Sequence, residues 1–125
     1  MFSSLLVGAT IDIIPKDVKQ DINKLNDYFV AHNVTAMKMG ASIGRLFIEQ
    51  VKNTTLRAIY LSGEKLGKIT QKRNYKIIDA YGPTENTAQT TAIYLEDKSS
   101  TDSIGYPIFN NKVYVLNNIR LYRHV

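Results

Sequence analysis

Apolar residues cluster along this chain in short runs that are typical of β-strands buried in a sheet. The first four runs lie at residues 9–14, 34–39, 56–61 and 76–80. Two later runs, at residues 90–95 and 112–116, are also rich in β-branched and aromatic residues. The pattern therefore predicts a sheet that is followed by a β-rich C-terminal segment.

Between the first runs, the apolar spacing changes to that of amphipathic helices. One stripe consists of Val18, Ile22, Leu25 and Phe29, and a second consists of Ile43, Leu46, Phe47 and Val51. Asp17 and Gln20 have the spacing of a capping box, so the first helix is predicted to begin there. Residues 64–71 predict a short third helix. Strands that alternate with helices indicate the α/β class, with a mostly parallel sheet flanked by helices.

Length and composition narrow the class of protein. The 125 residues form one domain or less, and the hydrophobic fraction of 44% and charged fraction of 22% are those of a globular protein. The absence of cysteine excludes a disulfide framework and a thiolate metal site. The apolar runs are too short to span a bilayer, and the N-terminus lacks the basic start of a signal peptide. We expect a cytoplasmic protein that does not bind a membrane.

The net charge of +5 raises the question of a nucleic-acid partner. Five cations crowd into twelve residues, namely Lys65, Lys68, Lys72, Arg73 and Lys76. A single aromatic residue, Tyr75, is interleaved with them, and no nucleic-acid-binding motif is present. The cluster is better explained as a solvated face, and we do not expect nucleic acid to be the main partner.

The polar residues that follow the predicted strands indicate where a ligand binds. Three strands end at residues 38–40, 61–64 and 80–82. In open α/β sheets, ligands bind in the crevice outside the carboxyl ends of the strands. We therefore expect these three strand ends to face one crevice.

The most informative motif is Tyr81-Gly82-Pro83-Thr84-Glu85. Gly and Pro favour a tight turn, and the tyrosine offers a flat face for a planar ring. Thr can donate and accept a hydrogen bond, and Glu is an oxygen ligand of the kind that Mg²⁺ takes alongside phosphates. The combination indicates a purine nucleotide with its metal ion.

A competing phosphate-binding motif fails on spacing. Residues 63–68, Gly-Glu-Lys-Leu-Gly-Lys, partly match a Walker-type phosphate loop. That loop needs four residues between its glycines and a Ser or Thr after its lysine. Here three residues separate the glycines and Ile69 follows the lysine, so this interpretation is rejected.

The same residues carry a family resemblance. Residues 79–85, Asp-Ala-Tyr-Gly-Pro-Thr-Glu, resemble the Asn-x-Tyr-Gly-Pro-Thr-Glu signature of adenylate-forming enzymes, specifically the adenylation domains of nonribosomal peptide synthetases. Residues 5–9, 56–64 and 104–116 match further segments of that family in order and spacing, so the resemblance covers nearly the whole chain. Asp79 departs from the signature, which has Asn at that position.

The resemblance implies roles for the residues around the motif. Tyr81 stacks on adenine, with the backbone of Gly63 and Glu64 on the opposite side of the ring. Thr84 binds the α-phosphate of ATP or AMP, and Glu85 binds Mg²⁺, so these two residues are the catalytic candidates. The other nucleotide-binding positions are Asp79 and Ala80, at the adenine's exocyclic amine, and Gly82.

The resemblance also implies an amino-acid pocket. Its positions in this chain are Lys38, Tyr60, Ser62, Ala80, Ala88 and Gln89. An unpaired ammonium is costly to bury, so Lys38 in an enclosed pocket needs a partner. The partner is either an acidic or carbonyl-bearing side chain of the substrate or an acid of the protein; alternatively, Lys38 reaches solvent.

The family's reaction is amino-acid activation. An aminoacyl-AMP forms from ATP and an amino acid, and a phosphopantetheine thiol on a carrier domain then captures it. The resemblance implies that other groups of the domain lie outside residues 1–125, which would be the central substrate- and adenine-binding subdomain and inactive alone. Its partners would be the rest of the adenylation domain and the peptidyl carrier and condensation domains.

Two other functions remain open. One is another adenylate-forming ligase, of the acyl-CoA or aryl-acid type. The other is a non-catalytic module that binds a nucleotide or a protein partner. Residues 104–108 and 113–116 favour the peptide-synthetase branch over the other ligases.

Overall fold

The computed structural model describes residues 2–95, 103–116 and 121–123. Its helices, in chain order, are α1 (Phe2–Leu6), α2 (Ile22–Ala31) and α3 (Ala41–Gln50), with short 3-10 turns at Val18–Gln20 and Thr84–Asn86. Its strands are β1 (Ala36–Gly40), β2 (Ala58–Ser62), β3 (Lys76–Tyr81), β4 (Thr91–Leu95), β5 (Tyr106–Pro107), β6 (Tyr114–Leu116) and β7 (Leu121–Arg123). Within the described part, no helix is long and apolar enough to cross a membrane.

Five strands form one sheet in the order β1-β2-β3-β4-β5. The first three strands run parallel, whereas β4 is antiparallel to β3 and β5 is antiparallel to β4. The strands β6 and β7 pair separately as an antiparallel ribbon. The α/β class predicted from the alternation of strands and helices is confirmed.

One face of the sheet packs against the helices. Strand register aligns Met37, Ile59, Ile77 and Leu95 on that face. Leu25 and Phe29 of α2 and Phe47 and Ile48 of α3 belong to the same buried core. The rings of Phe29 and Phe47 lie 5.6 Å apart at 49°, a tilted geometry that aromatic pairs favour.

The opposite face of the sheet is more polar. Register aligns Lys38, Tyr60, Ile78 and Tyr94 on it. Ile78 is buried between two tyrosines that are themselves exposed to solvent. The Lys76 ammonium lies 5.6 Å from the centre of the Tyr94 ring, within cation–π range.

Helix α3 approaches the sheet at a glycine. A Cβ atom on Gly44 would overlap the side chain of Leu61 in β2. The buried positions of α3 are Ala41, Gly44, Phe47 and Ile48. The predicted stripe was therefore only half right, because Ile43 and Leu46 are 49% and 44% exposed. Small residues occupy the inward positions 41 and 44, and Gly44 lies where the helix and the strand are closest.

Helix α2, which corresponds to the first helix predicted from the sequence, begins later than the capping-box pattern predicts. Asp17 makes no capping hydrogen bond and precedes only a 3-10 turn. Asp21 is the N-cap of α2, and its carboxylate accepts hydrogen bonds from the backbone N–H groups of Asn23 (2.8 Å) and Lys24 (3.2 Å). The prediction of the cap at Asp17 was wrong, because Asp21 satisfies two free N–H groups of the helix and Asp17 satisfies none.

Two other predicted elements are not formed. Residues 9–14 run as irregular chain and not as a strand, since they have no ladder partner in the sheet. Residues 63–71, here named the Gly63 loop, contain no helix where residues 64–71 predicted one. Gly67 has a φ of +73°, which breaks a right-handed helix, although Leu66 and Ile69 are still buried in the core.

A buried asparagine shapes the turn before β2. Asn53 is 1% exposed, and its Oδ1 accepts hydrogen bonds from the backbone of Thr55 (2.9 Å) and Leu56 (2.7 Å). Its Nδ2 donates to Oδ1 of Asn26 in α2 at 3.0 Å. This one side chain thus connects the turn to the first long helix.

The two candidate caps give a matched test. Because Asp21 alone accepts the free N–H groups of α2, Asp21→Ala should lower the free energy of unfolding by about 1 kcal/mol. Asp17→Ala should change it by less than about 0.5 kcal/mol, as exposed substitutions usually do. Urea denaturation followed by circular dichroism measures both. Equal losses for the two variants would contradict the assignment of the cap.

Candidate functional site

A cavity of about 390 Å³ opens at the carboxyl ends of β2 and β3. We call it the strand-end cavity. It is lined by Gly63, Glu64, Lys65, Asp79, Ala80, Tyr81, Gly82, Ser103 and Ile104. The structure therefore brings six of the predicted nucleotide-binding residues into one cavity, namely Gly63, Glu64, Asp79, Ala80, Tyr81 and Gly82. The end of β1 lies beside it, because Gly40 is in register with Ser62.

The cavity also has three lining residues that the sequence did not predict, namely Lys65, Ser103 and Ile104. Lys65 had been assigned to a solvated basic face, and residues 103 and 104 precede β5. Gly105 holds that segment close to β4, because a Cβ atom on it would overlap the backbone of Ala92. The Thr91 hydroxyl also donates to the backbone carbonyl of Ile104. The family resemblance at residues 104–116 includes Ile104, but it implied no role for that residue in the cavity.

Tyr81 and Gly82 form the turn at the tip of β3. Tyr81 is 52% exposed, so its ring remains accessible at the cavity. A Cβ atom on Gly82 would lie 2.6 Å from Cα of Gln89, so the two backbone segments pack directly together. The N–H of Thr90 donates to the carbonyl of Tyr81 at 2.8 Å. The absence of a side chain at position 82 thus fixes residues 88–90 against the end of β3.

Asp79 lies in a less polar environment than its neighbours in the motif. It is in register with Leu61 on the face that carries the core. Partial burial raises the pKa of its carboxyl group, and a hydrogen bond with the Ala80 backbone opposes that rise. A group of this kind carries its negative charge less readily than an exposed aspartate.

Thr84 and Glu85 lie in the 3-10 turn Thr84–Asn86, outside the lining of the strand-end cavity. Both side chains are exposed. Asn86 braces the turn, because its Nδ2 donates to Oγ1 of Thr90 (2.7 Å) and Oδ1 of Asn111 (2.6 Å). Thr87 and Ala88 follow with φ of 53° and 78°, a left-handed pair that is costly for residues with a Cβ.

The predicted amino-acid pocket is only partly assembled. Four of its six predicted residues share one face of the sheet, namely Lys38, Tyr60, Ser62 and Ala80. The other two, Ala88 and Gln89, lie against the backbone of Gly82. Lys38 is exposed, so the burial that would require a charged partner is absent. It borders a second cleft of about 670 Å³, together with Asp12 and His32, and not the strand-end cavity.

A small polar cluster joins residues 9–14 to α2 at this second cleft. The Tyr28 hydroxyl donates to Oδ1 of Asp12 at 2.6 Å, and Nδ1 of His32 lies 2.8 Å from Oδ2 of Asp12. The Tyr28 and His32 rings stack at 3.9 Å. The bond from Tyr28 lowers the pKa of the Asp12 carboxyl group, and His32 adds to that effect.

A magnesium ion would need ligands beyond the protein side chains. Among the described residues, no three His, Cys, Asp or Glu side chains come close enough to hold a metal ion. Mg²⁺ usually binds through one or two carboxylates together with substrate phosphates and water. An exposed Glu85 beside a nucleotide fits that arrangement, and a site made by the protein alone does not.

Comparisons with known proteins identify the family. The sequence profile of the family described as "AMP-binding enzyme" matches residues 1–121. Surfactin synthase subunit 2 of Bacillus subtilis is 36% identical over 116 residues, which are 93% of this chain but 3% of that protein. The chain therefore spans a small part of the curated relatives that it matches.

Two solved structures share the fold. A nonribosomal peptide synthetase structure, FmoA3 with α-methyl-L-serine-AMP bound, has a TM-score of 0.74 at 18% identity and covers 93% of this chain and 15% of its own. The artificially fused adenylation–carrier di-domain NpsA-ThdA of Klebsiella oxytoca has a TM-score of 0.67 at 22% identity. The match covers 98% of this chain and 27% of the di-domain chain. These two matches show the same fold, and the family profile over residues 1–121 confirms the resemblance found in the motifs.

The close approach at Gly82 predicts a large effect of one methyl group. Gly82→Ala should lower the free energy of unfolding by roughly 1–3 kcal/mol, because only backbone atoms surround the new Cβ and they must move. Glu85→Ala, an exposed change in the same turn, should cost less than about 0.5 kcal/mol. Urea midpoints compare the two variants. A Gly82→Ala protein as stable as wild type would contradict the packing described.

Proposed function

The chain belongs to the AMP-binding enzyme family, and on that premise we propose that it is part of an amino-acid-activating adenylation domain of a nonribosomal peptide synthetase. The observation that carries the proposal is the strand-end cavity, which gathers six residues of the predicted nucleotide site. Its volume of about 390 Å³ lies in the range of small-molecule sites. The proposed ligand is the adenosine part of ATP or AMP.

The adenine ring binds between two walls in this proposal. The exposed ring of Tyr81 stacks on one face, and the backbone of Gly63 and Glu64 contacts the other. Asp79 and Ala80 lie at the edge of the ring, where the Ala80 backbone and the Asp79 side chain meet the exocyclic amine. Gly82 lets the backbone of residues 88 and 89 pack directly against this turn.

Thr84 and Glu85 act next to the α-phosphate. The Thr84 hydroxyl donates a hydrogen bond to a phosphate oxygen, and Glu85 supplies one carboxylate ligand for Mg²⁺. Mg²⁺ held there would neutralise phosphate charge during the reaction. Thr84 and Glu85 lie in a 3-10 turn that comes directly after Tyr81 and is held in place by Asn86. This position supports the proposal that Tyr81 contacts the adenine ring while Thr84 and Glu85 contact the phosphate end of the nucleotide.

The reaction proposed for the whole domain is adenylation. A carboxylate oxygen of the amino acid attacks the α-phosphorus of ATP, the bond to the bridging oxygen breaks, and pyrophosphate leaves. Such a reaction depends on positioning and charge neutralisation, of which this chain supplies a part. The phosphopantetheine thiol of a carrier domain then attacks the acyl carbon and AMP leaves, and the fused NpsA-ThdA di-domain supports a carrier domain as the partner. A neighbouring condensation domain is the further partner proposed.

The proposed amino-acid pocket uses the polar face of the sheet. Tyr60, Ser62 and Ala80 share that face with Lys38, and Ala88 and Gln89 lie at its end. We assign Lys38 to contact an acidic or carbonyl-bearing substrate side chain. Because Lys38 is exposed, that contact is worth less than a buried ion pair.

Removing the tyrosine ring tests nucleotide binding directly. Tyr81→Ala should weaken AMP binding to this chain by roughly 5- to 150-fold, since stacking of a base on an aromatic ring is worth about 1–3 kcal/mol. Tyr94→Ala is the matched control, because Tyr94 is also an exposed tyrosine of the sheet but does not line the strand-end cavity. Isothermal titration calorimetry measures both.

In the same titrations, Mg²⁺ should strengthen binding of ATP to the wild-type chain and have less effect on Glu85→Gln. If AMP does not bind, or if Tyr81→Ala and Tyr94→Ala behave alike, the nucleotide site is wrong. Binding without any effect of Mg²⁺ would favour the non-catalytic module.

Specificity is tested in the parent synthetase. Lys38→Ala should reduce the preference for acidic or amide-bearing amino acids by roughly two- to fivefold, the range expected for an exposed charge pair. Amino-acid-dependent pyrophosphate exchange measures the preference, with Lys76→Ala as a control on the same face of the sheet. An unchanged order of substrates would remove Lys38 from the pocket.

A further inference from the structure

The side chain of Glu64 connects the strand-end cavity to the start of α3. Its Oε1 accepts a hydrogen bond from the backbone N–H of Ser42 at 3.1 Å. Ser42 is the second residue of α3, whose first N–H groups have no partner within the helix. The residue at the N-cap, Gly40, has no side chain to accept them. Glu64 therefore caps α3 from a distance of 22 residues in sequence.

The rest of the Gly63 loop is also attached to α3. Near the end of that helix, the Glu49 carboxylate accepts hydrogen bonds from the backbone N–H and the hydroxyl of Thr70, both at 2.8 Å. Arg73, just beyond the loop, donates to the carbonyl of Ile48. The loop is thus held at both ends by α3, and only the Glu64 end lines the strand-end cavity.

Arg45 adds a charge to the cavity end of this attachment. Its Nη1 lies 3.4 Å from the position that a Cβ on Gly67 would occupy, so the guanidinium packs on the loop. Its positive charge also favours the Glu64 carboxylate. Gly63, with a φ of +99°, turns the chain out of β2 into this position, in a conformation that side chains rarely adopt.

We propose that Glu64 is a positioning residue for nucleotide binding, because its carboxylate, bound to Ser42, fixes the backbone of residues 63–65 as one wall of the cavity. This inference rests on the proposed function and assigns the Glu64 side chain a role separate from its backbone contact with adenine. A flat backbone wall opposite Tyr81 binds a ring well only if it is held at the right spacing.

The attachment depends on pH in a defined direction. Hydrogen bonds from the Ser42 hydroxyl and backbone N–H lower the pKa of Glu64, and Arg45 lowers it further. The ionised carboxylate is the acceptor, so the attachment is complete above the usual glutamate pKa of about 4.3 and is lost as pH falls through the lowered value. Asp79 lines the same cavity and burial raises its pKa, so the comparison of wild type with Glu64→Gln is the one that isolates Glu64.

The test combines two readouts on the full chain. In Glu64→Ala, the Ser42 amide should exchange with solvent about tenfold faster, and AMP should bind about tenfold more weakly, because a charge-assisted hydrogen bond is lost. Glu64→Gln keeps an acceptor without the charge and should recover part of the affinity at neutral pH. Asp27→Asn is the control, since it removes an exposed acid of α2 from outside the cavity.

The pH profile separates positioning from simple loss of stability. As pH falls from about 5 to about 3, through the lowered pKa of Glu64, AMP affinity should fall more for wild type than for Glu64→Gln. Equal pH profiles, or wild-type affinity in Glu64→Ala, would overturn the proposal. Ser42 exchange is measured without nucleotide, so a Ser42 amide that stays protected in Glu64→Ala overturns it even if AMP does not bind. Failure of AMP binding in wild type alone would instead reject the proposed function.

Discussion

The close contact between α3 and β2 is the constraint on which the candidate site depends. Without a Cβ on Gly44, the helix lies directly on Leu61. At that distance, the first turn of α3 reaches Glu64 and its last turns reach Thr70. The Gly63 loop therefore has a fixed course although it contains no helix or strand. A bulkier residue at position 44 would separate the layers, and both carboxylate attachments would lengthen together.

Much of the sheet and of the cavity could be predicted from the sequence. The strand patterns before residues 40, 62 and 81 correspond to β1, β2 and β3, because buried parallel strands leave short continuous apolar runs. The predicted strand ends were then enough to bring residues 63–64 and 80–82 together, whereas the predicted end at residues 38–40 does not line the cavity. The motif at Tyr81 supplied the chemistry, since few contexts need an aromatic ring, a tight turn, a hydroxyl and a carboxylate in succession.

The features that the sequence did not predict arise from contacts between distant segments. Apolar periodicity finds large inward residues, so it chose Ile43 and Leu46 over Ala41 and Gly44. Local capping rules chose Asp17 because Gln20 follows it at the capping-box spacing, and they do not consider a cap such as Glu64 that comes from another segment. Likewise, residues 9–14 have a strand-like composition, but a strand forms only where a neighbour offers hydrogen bonds.

The buried position of Asn53 has a consequence for how the protein can be produced. Asn53, Thr54 and Thr55 have the spacing of an N-glycosylation acceptor. In the folded chain, Nδ2 of Asn53 is occupied by Asn26 and the residue is 1% exposed, so a glycan has no access to it. A secretory host would encounter the acceptor before folding, and a glycan attached then would keep the turn before β2 from closing. Hosts without this modification avoid that competition.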